Sequence, residues 1–174
     1  MPTLTLKDLE DAFPLLRRDT DRYFALCNEF IHLHPNGSYG YYCRHNVWEQ
    51  RGEWDKALAD LDRVVALDPR ACSYSSRGDL FHQTGRYTEA IADFNHAETL
   101  DRDEWLWGFG PIRRAECHAR LGNLETALAD CADIDGEHWT PGVAGIIPGD
   151  KDAIIAEVTR LAAAAISRGS NAGE

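Results

Sequence analysis

The sequence predicts an all-α protein made of repeated helical hairpins, and three observations lead to that prediction. A glycine–alanine pattern recurs along the chain, apolar residues on both sides of each glycine are spaced three and four apart, and Asp68-Pro69 ends one of the apolar stretches. Spacings of three and four place side chains on one face of a helix. Because the residue before a proline disfavours the helical conformation, Asp68 marks a helix end.

Each repeat is marked by a glycine followed five residues later by an alanine. The glycines recur after 33 and then 37 residues, and the alanines keep the same steps. The pairs are Gly52 with Ala57, Gly85 with Ala90, and Gly122 with Ala127. Glycine can adopt the positive φ that ends a helix and starts a turn, and a small alanine lets two helices cross closely. Each repeat is therefore expected to be a helical hairpin.

The chain is expected to form a single domain over residues 1–174, with capping elements at both ends. A degenerate leading unit at 1–37 should begin with one helix from about Thr5 to Arg17, kinked at Pro14. The parts that follow are repeats at 38–70, 71–103 and 104–135, a glycine- and proline-rich loop at 136–149, and a capping helix at 150–168. Such end helices cover the apolar face that a repeat stack would otherwise expose.

Within a hairpin the residue types follow a fixed order: a large residue, a small one, an aromatic, glycine, an aromatic, alanine, an apolar residue and proline. Over Ser38–Asp135 this order resembles the tetratricopeptide repeat family. The resemblance implies a right-handed α-α superhelix of about three hairpins, whose concave groove often binds a peptide or another protein. The third repeat departs most from the order, with Pro111, Ala115 and His118 where an aromatic, a glycine and an aromatic are usual.

The resemblance places binding residues on the first helix of each hairpin, where side chains point away from the hairpin partner. The groove candidates for peptide or protein binding are Tyr42, Asn46, Glu49, Asp79, His82, Arg113, Glu116 and Arg120. Asn46 and Arg113 are in register with residues that chaperone-binding relatives use to hold a terminal carboxylate. At the other positions that those relatives use to hold the carboxylate, this chain has Tyr42, Ser76 and Phe109. Binding to a chaperone terminus is therefore not predicted.

The remaining prominent side chains are assigned to packing or to solvent. The column Arg44, Arg77 and Arg114 is expected to cover apolar surface with its methylene stems rather than to bind anions. Acidic residues of the second helices are expected to form a solvated convex face, and they are Asp55, Asp60, Asp62, Glu89, Asp93, Glu125 and Asp130. Trp105 and Trp107, in the insert before the third repeat, either anchor a partner at the surface or extend the packing of that hairpin.

Composition and spacing argue against several function classes. The formal charge is −11, from 18 basic and 29 acidic residues, which disfavours a nucleic-acid partner. No apolar run approaches a membrane span and the start lacks a signal sequence, so a cytoplasmic protein without a membrane partner is expected. The five cysteines form no C-x-x-C pair and are expected to be reduced, and the seven histidines are not spaced as metal ligands. No catalytic residue, metal or cofactor is predicted.

The sequence therefore predicts a non-enzymatic adaptor or scaffold that binds a protein or peptide segment in the groove. One alternative is a small bacterial secretion-type chaperone, since some of these have about this length and three such repeats. Another is a scaffold that homodimerises through the tryptophans of the insert or the alanine-rich C-terminal helix. A buried polar pocket holding His82 with Glu116 or Asp79 would favour an enzyme. The loop at 139–147 could fold back into the groove as a built-in ligand.

Overall fold

The computed structural model describes residues 4–107, 109–134 and 147–171, with side chains except at positions 107, 170 and 171. These ranges form eleven α-helices and no β-strand, so the predicted all-α class is confirmed. The chain divides into two compact units, Met1–Ser73 and Tyr74–Glu174, which we call the first and the second unit. In the described ranges, no helix has the length and apolar character needed to cross a membrane.

The first unit consists of a broken leading segment and three longer helices. Its helices are α1 (Leu6–Asp11), α2 (Leu15–Arg18), α3 (Thr20–Leu33), α4 (Ser38–Gln50) and α5 (Trp54–Leu67). The segment predicted as one kinked helix is instead two short helices. Pro14 is the N-cap residue of α2, where its missing N–H costs no helical hydrogen bond.

Side-chain caps fix the start of the first unit. Thr5 and Asp8 form a capping box: the Thr5 N–H donates to Asp8 Oδ2 at 2.8 Å, and the Asp8 N–H donates to Thr5 Oγ1 at 3.3 Å. Asp19 caps α3 by accepting a hydrogen bond from the Arg22 N–H at 3.1 Å. The core beneath these caps contains Leu9, Leu16, Tyr23, Cys27, Phe30, Cys43 and Val47. The leading segment is therefore packed onto α3 and α4 by buried apolar side chains.

The second unit is closed by a long C-terminal helix. Helix α6 (Ala71–Gln83) crosses the division between the units. The helices after it are α7 (Tyr87–Leu100), α8 (Arg102–Trp107), α9 (Gly110–Arg120), α10 (Leu124–Ala132) and α11 (Lys151–Asn171). Helix α11 packs against α9 and α10 through Ile154, Val158 and Leu161, so it covers the apolar face of the last hairpin. Residues 135–146, most of the predicted loop, lie outside the described ranges.

The three turn glycines adopt the conformation that the repeat pattern predicts. The φ angle is 70° at Gly52, 76° at Gly85 and 81° at Gly122. In each turn the N–H of the next residue donates to the carbonyl five positions earlier, at 2.9, 2.8 and 2.9 Å. Such a bond is the signature of a helix C-cap with a left-handed residue. All three hairpins therefore have the same type of turn, with a glycine at positive φ and the same hydrogen bond after it.

The alanine column is buried in all three hairpins, and in the first and third it lies on helices that pack on each other. Ala57, Ala90 and Ala127 are completely buried. Within the first unit α4 packs on α5, and within the second unit α9 packs on α10. A larger side chain at these positions would separate the paired helices.

A second column of small residues is interrupted in the first repeat. Gly78 and Ala115 are equivalent positions, and a Cβ on Gly78 would lie 2.7 Å from the Phe94 ring. The position 33 residues before Gly78 is His45, which is 6% exposed. Burial lowers the pKa of His45 to about 4, although its Nδ1–H donates to the Tyr42 carbonyl and partly opposes that effect. The imidazole is therefore neutral in the folded protein near neutral pH.

Candidate functional site

The eight groove candidates fall into two groups, one in each unit. The first-unit group lies on α4 and contains Tyr42, Asn46 and Glu49. The second-unit group contains Asp79 and His82 on α6, and Arg113, Glu116 and Arg120 on α9. The surroundings of the two groups differ, because the first borders a cavity and the second forms a network of ion pairs.

A cavity of about 300 Å³ borders the first-unit group. Its lining from α4 consists of Asn46, Glu49 and Gln50, two of which are groove candidates. The other lining residues come from the leading segment, and they are Phe13, Pro14, Leu16 and Arg17. Phe13 leaves half of its surface exposed. The sequence did not predict this contribution, because the leading unit lacks the glycine that sets the register of the other hairpins.

The side chain of Asn46 is held in position by its own helix. Its Nδ2 donates to the Tyr42 carbonyl at 2.9 Å, and the same carbonyl accepts the Nδ1–H of His45. The Tyr42 ring lies 4.9 Å from the His45 ring and is 40% exposed. An exposed aromatic ring and an oriented amide are group types that can pack against and hydrogen-bond an extended peptide.

The second-unit candidates are paired with one another. Arg113 forms an ion pair with Asp79 across α6 and α9. His82 Nε2 lies 3.2 Å from Glu116 Oε2, and Arg120 Nη2 lies 2.9 Å from Glu116 Oε1. Both His82 and Glu116 are about nine-tenths buried at the side chain. The network links α6 to α9, and it engages the polar groups that would otherwise be free to bind a partner.

Burial and pairing act in opposite directions on the two carboxylates of this network. Burial raises the pKa of Asp79, although the Arg113 guanidinium opposes that effect. Burial would also raise the pKa of Glu116, but hydrogen bonds from His82 and Arg120 outweigh it, so the pKa of Glu116 is lowered. Glu116 is therefore ionised at neutral pH and accepts a charge-assisted hydrogen bond from Arg120.

The contact between His82 and Glu116 is the arrangement that would favour an enzyme, since a carboxylate can orient an imidazole for proton transfer. The neighbouring thiol, Cys117, is completely buried, and burial raises its pKa to about 12. A thiol with that pKa is not ionised near neutral pH and is not an activated nucleophile. Nor do the described residues include three or more His, Cys, Asp or Glu side chains placed to hold a metal ion.

The predicted solvated face of the second helices is wrong for three of its acidic residues. Asp60, Asp93 and Asp130 are 4%, 6% and 7% exposed. Each accepts two hydrogen bonds from the arginine sixteen residues earlier. The pairs are Arg44 with Asp60, Arg77 with Asp93, and Arg114 with Asp130, with N–O distances of 2.7 to 2.9 Å. The arginine column therefore joins the two helices of each hairpin, and its signal in the sequence was the constant spacing.

Trp105 is not a surface anchor, in contrast to one of the two sequence interpretations. Its side chain is 1% exposed, and the Arg114 guanidinium lies 4.4 Å from its ring centroid. A Cβ on Gly110 would collide with the indole, so this glycine lets α9 pass the ring. The insert thus extends the packing of the third hairpin. The Trp107 side chain and the 139–146 part of the predicted groove-filling loop lie outside the described residues.

A second cavity in the first unit was not predicted at all. It has a volume of about 510 Å³ and is lined by Leu4, Thr5, Leu6, Phe30, His34, Gly37, Ser38 and Tyr39. Its walls are the start of α1, the end of α3 and the start of α4, so no groove candidate lines it. Nothing in the repeat pattern pointed to these residues, because they lie where α1 meets the turn between α3 and α4.

The turn glycines, buried alanines and Arg–Asp pairs together define a helical-hairpin repeat protein. The sequence profile of the tetratricopeptide repeat matches residues 49–104. The structure resembles that of YrrB, described as a TPR protein with an unusual peptide-binding site, with a TM-score of 0.60 and 16% sequence identity. The match covers 72% of this chain and 65% of YrrB, so it spans less than two thirds of that protein. No curated protein shows a significant match. The chain therefore carries tetratricopeptide repeat sequence over residues 49–104 and has a fold that resembles a tetratricopeptide repeat structure.

Proposed function

We propose that the chain is a protein-interaction module and that it holds an extended segment of a partner protein at the first-unit cavity. Tetratricopeptide repeats form a non-catalytic interaction fold, which supports binding as the general function. The description of YrrB as having a peptide-binding site supports a peptide or an extended segment as the ligand. The secretion-type chaperone and the homodimerising scaffold remain alternatives, and nothing in the site favours either.

The observation that carries the proposal is the cavity bordered by Asn46 and Glu49. Its other walls bring an exposed aromatic ring, Phe13, beside amide groups of α4. A partner side chain packed on Phe13 would remove apolar surface from water, while the amides would bond the partner's backbone. The second-unit candidates supply a weaker case, because their charged groups already bond to one another.

The contribution of Phe13 to binding can be sized from its exposure. Full burial of a Phe side chain is worth about 1.5 to 3 kcal/mol, and Phe13 has half of its surface left to bury. Covering that half is therefore worth about 0.8 to 1.5 kcal/mol. This is roughly a tenfold change in Kd.

A display library of random linear peptides, selected on the wild-type protein, provides the ligand for the test. Fluorescence anisotropy then gives the Kd of the best peptide for wild type, Phe13→Ala and Asn46→Ala. The control is Leu33→Ala, which removes an apolar side chain of the same unit that is 40% exposed and lies outside the cavity.

We expect Phe13→Ala to weaken binding about tenfold, Asn46→Ala to weaken it measurably, and Leu33→Ala to leave it unchanged. Circular dichroism should show the same helicity in all four proteins. Equal affinity of all four proteins for every selected peptide would refute binding at this cavity.

A further inference from the structure

We infer that the first-unit cavity selects segments in which an acidic side chain stands beside a large apolar one, and that Arg17 receives the acidic side chain. This inference rests on the proposed function and adds the chemistry of the partner. The relevant features are the position of Arg17, its lack of an internal partner and the apolar wall beside it.

Arg17 is the only cation among the described residues that line the cavity, and it is exposed to solvent on α2. Two other arginines of the first unit have acidic partners outside this cavity: Arg44 pairs with Asp60, and Arg51 pairs with Asp21. Within the ranges that the structure covers, the Arg17 guanidinium has no ion pair or hydrogen bond. Its donors are therefore available to an external group.

A carboxylate is the group that best matches these donors. A guanidinium presents N–H groups in a planar fork that can bond both oxygens of a carboxylate. Glu49 also lines the cavity and already has an interaction within the folded chain. Because the Arg17 guanidinium is exposed, a carboxylate of the partner can reach it from solvent.

The same cavity favours an apolar side chain of the partner next to that carboxylate. Phe13, Pro14 and Leu16 precede Arg17 by four residues or fewer and line the cavity with it. A volume of about 300 Å³ is at the lower end of ligand pockets, so it suits one or two side chains rather than a folded surface. An acidic residue and a neighbouring large apolar residue can fill both roles.

The overall charge of −11 opposes an acidic partner at long range, so distance decides which effect prevails. At physiological salt, exposed charges separated by more than about 8 Å are largely screened. A carboxylate in contact with Arg17 lies well inside that distance. The contact therefore dominates affinity, while the distant acidic residues mainly slow association.

Three capped peptides test the inference: acetyl-GSELEFSG-amide and its twins with Gln or Lys in place of both Glu residues. The caps remove the terminal carboxylate, so any preference must come from side chains. Isothermal titration calorimetry measures binding to wild type, Arg17→Gln and Arg17→Glu. The matched control is Arg18→Gln, which removes the adjacent exposed arginine that does not line the cavity.

We expect wild type and Arg18→Gln to bind the acidic peptide about tenfold more tightly than the Gln twin. Arg17→Gln should lose that preference, and Arg17→Glu should prefer the Lys twin. A preference that survives Arg17→Gln, or no preference in wild type, would overturn the inference while leaving the proposed function standing. If Phe13→Ala also has no effect on any selected peptide, the proposed function fails with it.

Discussion

Acid should destabilise the first unit through its buried histidine. His45 occupies a position that holds Gly78 and Ala115 in the other repeats, and it is 6% exposed. Burial lowers its pKa from 6.5 to about 4, because the charged imidazolium would lose its hydration. The unfolded chain imposes no such cost, so it takes up the proton at higher pH than the folded protein does.

The sign and the size of the effect follow from those two pKa values. Because the folded pKa is the lower one, the unfolded state binds the proton first as pH falls, and the free energy of unfolding decreases. The effect is absent well above pH 6.5 and grows until the pH reaches about 4. The expected loss is about 2 kcal/mol between about pH 7 and about pH 5, and about 3 kcal/mol in total.

Urea denaturation followed by circular dichroism, repeated across this pH range, measures the effect in wild type and His45→Ala. Alanine is the residue of the third repeat, so the variant keeps a side chain that the hairpin accepts. A difference in packing between the two proteins offsets the variant's profile from that of wild type by a constant amount. Other titrating groups, such as Asp79, contribute equally to both proteins, so their contributions cancel in the difference. The difference in free energy of unfolding, wild type minus variant, should fall by about 2 kcal/mol from pH 7 to pH 5.

The exposed His32 provides the control for the loss of a histidine as such. Comparing His32→Ala with His45→Ala separates the effect of burying the imidazole from the effect of losing a histidine. If the profile of His45→Ala also parallels that of wild type, the imidazole does not resist protonation in the folded protein, and the reasoning from its burial is refuted.

Two further substitutions test the packing that holds the repeats. Arg77→Ala leaves Asp93 buried without its partner, so it should lower the free energy of unfolding by about 2 to 4 kcal/mol. Urea denaturation measures this loss. A loss of less than about 0.5 kcal/mol is the value expected for an exposed ion pair, and it would contradict the burial of this one. Gly110→Ala pushes a methyl group into the Trp105 indole and should cost about 1 to 3 kcal/mol with a red shift of tryptophan emission. Unchanged emission and stability would show that the indole is not packed against α9.

The hairpins were predictable because each turn depends on local chemistry. A glycine at Gly52, Gly85 or Gly122 is needed for positive φ, and the apolar spacing on either side shows directly in the sequence. The buried Arg–Asp pairs were not predicted, because periodicity assigns a charged residue on a helix to solvent by default. A pair between helices becomes visible only when the constant spacing of sixteen is compared across repeats.

The site was only partly predictable for related reasons. Asn46 was a candidate because the repeat register places it on the exposed side of α4, and it lines the first-unit cavity. Phe13 and Arg17 were missed because the leading unit has no turn glycine to set a register. Trp105 was open to two interpretations, since an aromatic-rich insert is typical of both surface anchors and packing. The neighbouring Gly110, which makes room for the indole, is what distinguishes them.

Binding at the first-unit cavity is tested most directly by titrating a library-selected peptide into isotope-labelled protein and following the amide chemical shifts. The largest shifts are expected in the two segments that line the cavity, residues 13–17 and 46–50. Saturating binding with its largest shifts on α10 or α11, and with both cavity segments unmoved, would contradict the proposed site.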